Sequence, residues 1–277
     1  MMSKKRLSTI VLVFVASVIA YLFLLPFIFM VFTSFKELED SLTATSLFPK
    51  RWTLQNYVEL FQNTSSSPVT RWLANTILVT VTGTALRLTV STTAAYALSR
   101  LDVPGKKLIV GGLVWGMAIP EIVTLFPLFY IFKQIGMINT YWPLILPSGS
   151  GVMVIYYIYT FLQDFPMELE EAAYLDGASI MKILRYIVLP SIRPVLVTQG
   201  FITFLGLYNN FLWSSLVVNQ TEMQTVTLGL ATLTLGENDN RPGLMMAATA
   251  VAVLPVLLVF LFANKYIVRG FTRSGIK

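Results

Sequence analysis

Arg87 and Glu121 are the only formal charges within two otherwise apolar stretches, Trp72 to Ser99 and Leu108 to Phe132. Charged side chains in such surroundings turn toward a protein interior or a wet cavity, where they pair or meet a polar ligand. A second polar group, Tyr208, Asn209 and Asn210, falls in another apolar stretch, with Thr198 and Gln199 about three turns earlier. Amides and a phenol both donate and accept hydrogen bonds, so these residues can line a path for a hydroxylated solute or tie neighbouring helices together. Bond-breaking chemistry lacks its usual actors. With zero His and zero Cys there is no thiolate nucleophile, imidazole base, disulfide, or Cys/His metal or haem site. No Gly-x-x-x-x-Gly-Lys-Ser/Thr loop is present, so the P-loop route to ATP hydrolysis is closed to this chain. No catalytic residue and no metal ligand is assigned.

The elements that must position these side chains are membrane helices. The chain is 55% hydrophobic and 12% charged, with a mean hydropathy of +0.70. Soluble domains carry about 25% charged residues, so a water-soluble globule is excluded. A transmembrane helix needs about 20 apolar residues. Six segments qualify: approximately 9–33, 72–98, 108–132, 142–163, 194–218 and 244–264. The reading is an all-α membrane protein of one domain, 1–277, with six spans. Lys4, Lys5 and Arg6 precede a first apolar run far longer than a signal-peptide core, so it is read as a retained anchor. Cytoplasmic termini place 13 Lys and Arg inside against 6 outside, as the positive-inside rule prefers. The net charge of +6 therefore belongs to membrane orientation and predicts no nucleic-acid partner. Arg87 lies 12 residues before Ser99, about 18 Å along a straight helix, and Glu121 lies 14 after Lys107, about 21 Å. Similar depth favours an ion pair between spans two and three over direct ligand contact. Pro120, Pro127, Pro190 and Pro255 mark kinks, and Gly83, Gly111, Gly112 and Gly116 allow close helix packing. Between spans one and two, Trp52, Tyr57, Leu60 and Phe61 predict a short amphipathic helix on the outer surface.

Between spans four and five, the loop 164–193 predicts a helix-turn-helix on the cytoplasmic face. Pro166 suits a first helical position, and Glu168, Glu170 and Glu171 favour the positive end of the helix dipole. Asp176-Gly177 is a stop signal, after which Ser179 can cap a second helix that ends at Leu189-Pro190.

Glu171-Ala172-Ala173, then three residues to Gly177, nine to Ile187 and one more to Leu189-Pro190, resembles the EAA motif of permease subunits in binding-protein-dependent ABC importers. Asn139 to Pro147, Phe204 to Trp213 and Lys265 to Lys277 are similar to segments of the carbohydrate-uptake branch, in particular the smaller permease of the maltose importer family. Tyr208-Asn209-Asn210 departs from a pattern that more often carries an acidic residue at the third place, so no charged role is carried over to Asn210.

The resemblance implies a permease subunit that moves a sugar or oligosaccharide into a bacterial or archaeal cell across the plasma (inner) membrane, without enzymatic activity of its own. Glu171, Ala172, Ala173, Asp176, Gly177, Ile187, Leu189 and Pro190 would engage the ATPase subunits; Tyr208, Asn209, Asn210 and Gln199 would line the pathway. The implied partners are a second permease in a heterodimer, two ABC ATPase subunits that hold ATP and Mg, an extracytoplasmic substrate-binding protein and membrane lipid. The outer loop Val218 to Gly243 would reach toward the binding protein, and the tail Arg269 to Lys277 toward the ATPases. The rival reading is an ion-coupled secondary transporter of a small polar solute. It needs intramembrane carboxylates that bind or relay an ion, and only Glu121 qualifies.

Overall fold

The computed structural model describes residues 4–43, 46–62, 68–235 and 241–274. Among these residues every regular element is helical. In chain order they are α1 Lys4–Ser34, α2 Leu38–Thr43, α3 Gln55–Gln62, α4 Val69–Arg100, α5 Lys106–Met117, α6 Glu121–Gln134, α7 Trp142–Ile145, α8 Val152–Gln163, α9 Glu168–Leu175, α10 Ile180–Ile183, α11 Leu189–Ser191, α12 Arg193–Tyr208, α13 Phe211–Val217, α14 Val226–Leu235 and α15 Pro242–Ser274. Short 3₁₀ turns follow α7 and α13, and a π-turn, Leu184–Val188, joins α10 to α11. Helices dominate because hydrocarbon offers no partner to a free N–H or C=O, and a helix satisfies both within itself.

By length and composition, four helical segments can cross a membrane: Ser8–Ser34, Val69–Arg100, Trp142–Gln163 and Pro242–Lys265. Two bent pairs raise the number to six if each pair is one span. The protein is multi-pass and membrane-embedded.

The chain forms two compact units, residues 1–70 with 229–254, and residues 71–228 with 255–277. In the first unit, Asn56 of α3 closes the end of α1, donating through Nδ2 to the carbonyls of Ser34 at 2.9 Å and Lys36 at 2.8 Å. Those carbonyls lie at a helix C-terminus with no partner of their own, and one amide satisfies both. Lys36 is buried, its Nζ donating to the Ser46 carbonyl. A Cβ at position 243 would meet Asn56 Nδ2 at 2.8 Å, so only glycine fits against that clamp. Phe32 and Phe35 pack with Phe48, Trp52 and Tyr57, with ring centroids 4.9 to 5.8 Å apart. The amphipathic helix expected here is α3, with Leu60 inward and Phe61 outward.

The second unit has two apolar clusters. One gathers Tyr96, Ile158, Leu162, Val188 and Ile192, and the other Val79, Phe132, Leu144, Trp213 and Val217. The segment between α13 and α14 is held by side chains of α4: Trp72 Nε1 donates to the Thr221 carbonyl at 2.7 Å, and Asn75 Nδ2 to those of Glu222 at 2.8 Å and Gln224 at 2.9 Å. Buried backbone groups that no helix satisfies are thereby paired.

Several expectations need correction. The stretch 108–132 is no straight helix: α5 and α6 are bent by 100° across Ala118–Pro120. Pro120 is extended, with ψ 133°, and its ring lacks the N–H that would continue the ladder. The depth inferred for Glu121 assumed an unbroken helix and is withdrawn. The stretch 194–218 is likewise bent, by 51°, at Asn209-Asn210. Beyond Ser179 the chain does not stop at Leu189-Pro190 but continues to Ser191 through the π-turn. The π-turn closes with Leu189 N donating to the Leu184 carbonyl, one residue before Pro190, whose ring has no N–H to give. Of the four packing glycines, Gly83 has the predicted close approach, to Leu207 and Ser148, whereas Gly111 and Gly112 face open space.

Candidate functional site

The loop 164–193 is built from its turn outward. Helix α9 ends in a full Schellman closure, with Ala178 N donating to the Ala173 carbonyl and Gly177 N to that of Tyr174, each at 3.0 Å. Gly177 takes φ +81°, which only glycine adopts without strain, and a Cβ there would meet nothing within 4 Å. Its requirement is therefore conformational. Ser179 is the N-cap of α10 by position but makes no side-chain cap bond.

This geometry sorts the motif into two sets. Glu171, Ala172, Asp176, Gly177 and Pro190 are exposed. Ala173, Ile187 and Leu189 instead pack against the cluster around Ile158 and Val188. Exposed beside the first set are Leu169, Tyr174, Leu175, Ile180 and Met181, with Leu175 86% exposed. An outward surface of acidic and large apolar side chains thus rests on an inward apolar one.

Sequence reasoning missed the residue that anchors α9. Glu170, not Glu171, is buried, and its Oε1 accepts from Arg100 Nε at 2.8 Å, with both side chains under 10% exposed. Tyr96, one turn before Arg100, donates to Glu170 Oε2 at 3.3 Å, and a further Arg100 nitrogen donates to the Phe165 carbonyl at 3.0 Å. The available signal was a tyrosine and an arginine four apart at the end of a span, which share one helix face.

Of the polar residues in the bent helix, Tyr208 is buried and stacks on Phe204, centroids 5.8 Å apart. Its backbone carbonyl accepts from Thr227 Oγ1 at 2.9 Å. Asn210 caps α13, its Oδ1 accepting from Trp213 N at 3.1 Å. Asn209 ends α12 with its side chain exposed, and Gln199 is half-buried. Arg87 Nε donates to the Ser148 carbonyl at 2.7 Å, beside the break before α8. Glu121 is exposed as the first residue of α6. No ion pair within 4.0 Å joins them among the described residues, which include the pairs Lys50–Asp40, Arg100–Glu170 and Arg241–Glu59.

In the first unit, both terminal nitrogens of Arg241 donate to the Glu59 carboxylate. That bonding holds the Glu59 carboxyl below its ordinary value and raises Arg241. Residues 236–240 of the outer loop lie outside the described residues, as do 275–277 and the side chains from 266 onward, which include the Arg269 to Lys277 tail.

The helices long and apolar enough to cross a membrane, and the exposed acidic-apolar loop beside them, define a multi-pass membrane protein. The family described as "Binding-protein-dependent transport system inner membrane component" matches residues 88–273, and the chain belongs to it. Among relatives, the trehalose/maltose transport system permease protein MalG of Thermococcus litoralis is 31% identical over 100% of this chain and 99% of its own length. The galactooligosaccharides transport system permease protein GanQ of Bacillus subtilis is 30% identical, covering 98% of this chain and 94% of its own. A bacterial ABC transporter involved in the import of the acidic polysaccharide alginate shares the fold, with a TM-score of 0.83 at 19% identity, over 96% of this chain and 99% of that one.

Proposed function

We propose that this chain is the permease subunit of an ATP-driven ABC importer that moves a sugar or oligosaccharide into the cytoplasm. The observation that carries this reading is the end-to-end similarity to sugar permeases, 31% identity over the whole chain in one case. The family match and the sugar-permease relatives support an ABC transporter assembly in the inner membrane.

The finer reading follows from the loop. With six spans both termini and the loop 164–193 share one side, which the 13-to-6 distribution of Lys and Arg assigns to the cytoplasm. There Glu171, Ala172, Asp176 and Gly177 meet an ATPase subunit while Ala173, Ile187 and Leu189 hold the loop's shape. Two ATPase subunits hold ATP and Mg and supply the stroke. A second permease completes the pathway, and a binding protein delivers solute from outside. Asn209 and Gln199 line that pathway with Tyr208 behind them, replacing water around sugar hydroxyls that would each cost several kcal/mol unpaired.

The test is uptake. Cells lacking this chain are given radiolabelled maltose, trehalose and galactooligosaccharides, with and without a plasmid copy. Energy-dependent uptake of at least one should vanish and return. Equal uptake of all three without the chain, or uptake that survives ATP depletion but not collapse of the ion gradient, contradicts the reading.

A further inference from the structure

The contact between α9 and an ATPase subunit, which rests on the function proposed above, moves solute only if displacement of α9 reaches the membrane helices. An eight-residue helix joined by turns at both ends would otherwise yield on its own. Besides the inward packing of Ala173, its link to the rest of the unit is a buried polar one at its first turn. The Glu170 carboxylate uses both oxygens, one for Arg100 Nε at 2.8 Å and one for the Tyr96 hydroxyl at 3.3 Å. Arg100 in turn donates to the carbonyl of Phe165, just beyond the end of α8, at 3.0 Å.

Three helix ends therefore meet at one guanidinium: the C-terminus of α4, the C-terminal end of α8 and the first turn of α9. Each charge is at the favourable end of its own helix. Arg100 lies in the last turn of α4, where carbonyls carry partial negative charge, and Glu170 in the first turn of α9, where free N–H groups carry partial positive charge. The forked guanidinium fixes direction as well as distance, which a lysine ammonium does not. Glu170 is turned inward while Glu171, its neighbour, is exposed. Adjacent carboxylates thus have different tasks.

We propose that Arg100 and Glu170 are a positioning pair that makes α9 rigid with α4 and α8, so that ATPase movement at Glu171 and Ala172 is passed to the membrane helices. Tyr96 supports the pair without carrying its charge. Neither residue touches solute or nucleotide.

The chain has no Cys, so a single Leu175→Cys substitution, labelled on the purified chain before the complex is assembled, gives one labelling site on an exposed side chain. The assembled complex carrying a nitroxide there is compared with the same complex bearing Glu170→Gln, Arg100→Lys or Tyr96→Phe. Purified complexes in vesicles are also measured for solute moved per ATP hydrolysed. The expected result is a more mobile label and a five- to tenfold lower solute-to-ATP ratio for Glu170→Gln, with ATP hydrolysis continuing. Arg100→Lys should fall between that and the wild type, and Tyr96→Phe should stay within twofold of the wild type. Where Glu170→Gln alone does not assemble, the double variant Arg100→Gln with Glu170→Gln, which leaves no unpaired charge, is expected to assemble and to show the same loss. An unchanged label and ratio in an assembled Glu170→Gln or double variant overturns the proposal and leaves the importer reading intact. Wild-type chain that binds no ATPase overturns both.

Discussion

The amide of Ala178 donates to the carbonyl of Ala173 at 3.0 Å, closing α9 over a glycine whose own amide bonds Tyr174. That closure turns the chain within two residues, so that Ala173 and Ala178 both pack inward while Ala172, Leu175 and Asp176 are exposed. The turn, rather than either helix alone, sets which motif residues can meet a partner.

Gly177 provides a test that separates strain from contact. Gly177→Ala should cost about 1 to 2 kcal/mol, because φ is +81° and a Cβ meets no neighbour. Gly177→Asn should cost less, since asparagine tolerates the left-handed region, and Gly177→Val more. Thermal unfolding of the detergent-solubilised chain gives the order Asn, Ala, Val. A larger loss for Asn than for Ala would contradict it.

Asn210 is the N-cap of α13. Asn210→Ala should destabilise by about 1 kcal/mol, whereas Asn210→Ser or Asn210→Asp should stay within a few tenths of the wild type. If the serine variant keeps its Tm and its KM for solute, position 210 acts by capping alone. An altered KM with an unchanged Tm would place it in the pathway.

Arg87 and Glu121 are testable by a double-mutant cycle on unfolding. Arg87→Gln removes the charged donor to the Ser148 carbonyl and should destabilise more than Glu121→Gln, which alters an exposed side chain. Their coupling should stay below about 1 kcal/mol, a through-space attraction with no direct ion pair. Coupling above about 1 kcal/mol would show a direct pair.

The Glu59–Arg241 bridge makes the first unit sensitive to acid. Hydrogen bonding from Arg241 lowers the folded-state value of Glu59. The carboxylate's contribution is then complete above the unfolded value and is lost as pH falls through the folded one. The Tm of the wild type should exceed that of Glu59→Gln at neutral pH, and the two should converge on acidification below the ordinary carboxylate range. A gap that persists in acid would contradict this origin.

Sequence pattern and structure agree where one local rule decides the outcome. Charge-free runs locate the long helices, and Asp176-Gly177 marks the turn because few residues other than glycine take a positive φ. Asn210 ahead of Phe211, Leu212 and Trp213 carries a readable N-cap signal. Other features depend on distant residues. Pro120 announces a break, but nothing local to it specifies a bend of 100°. Glu170 and Glu171 look alike in a run of acids. Arg100 and Tyr96, 70 and 74 positions away, distinguish them.

The central claim, that this chain is a permease driven through the loop 164–193, is tested most directly by purification in mild detergent. A tagged copy is isolated from its native host beside a Glu171→Arg variant, which reverses an exposed charge and leaves the Arg100–Glu170 bridge in place. The account predicts that an ABC ATPase and a second permease co-purify with the wild type, and that the ATPase is lost from the variant while the second permease remains. Recovery of the wild-type chain alone, or equal ATPase with both, would contradict it.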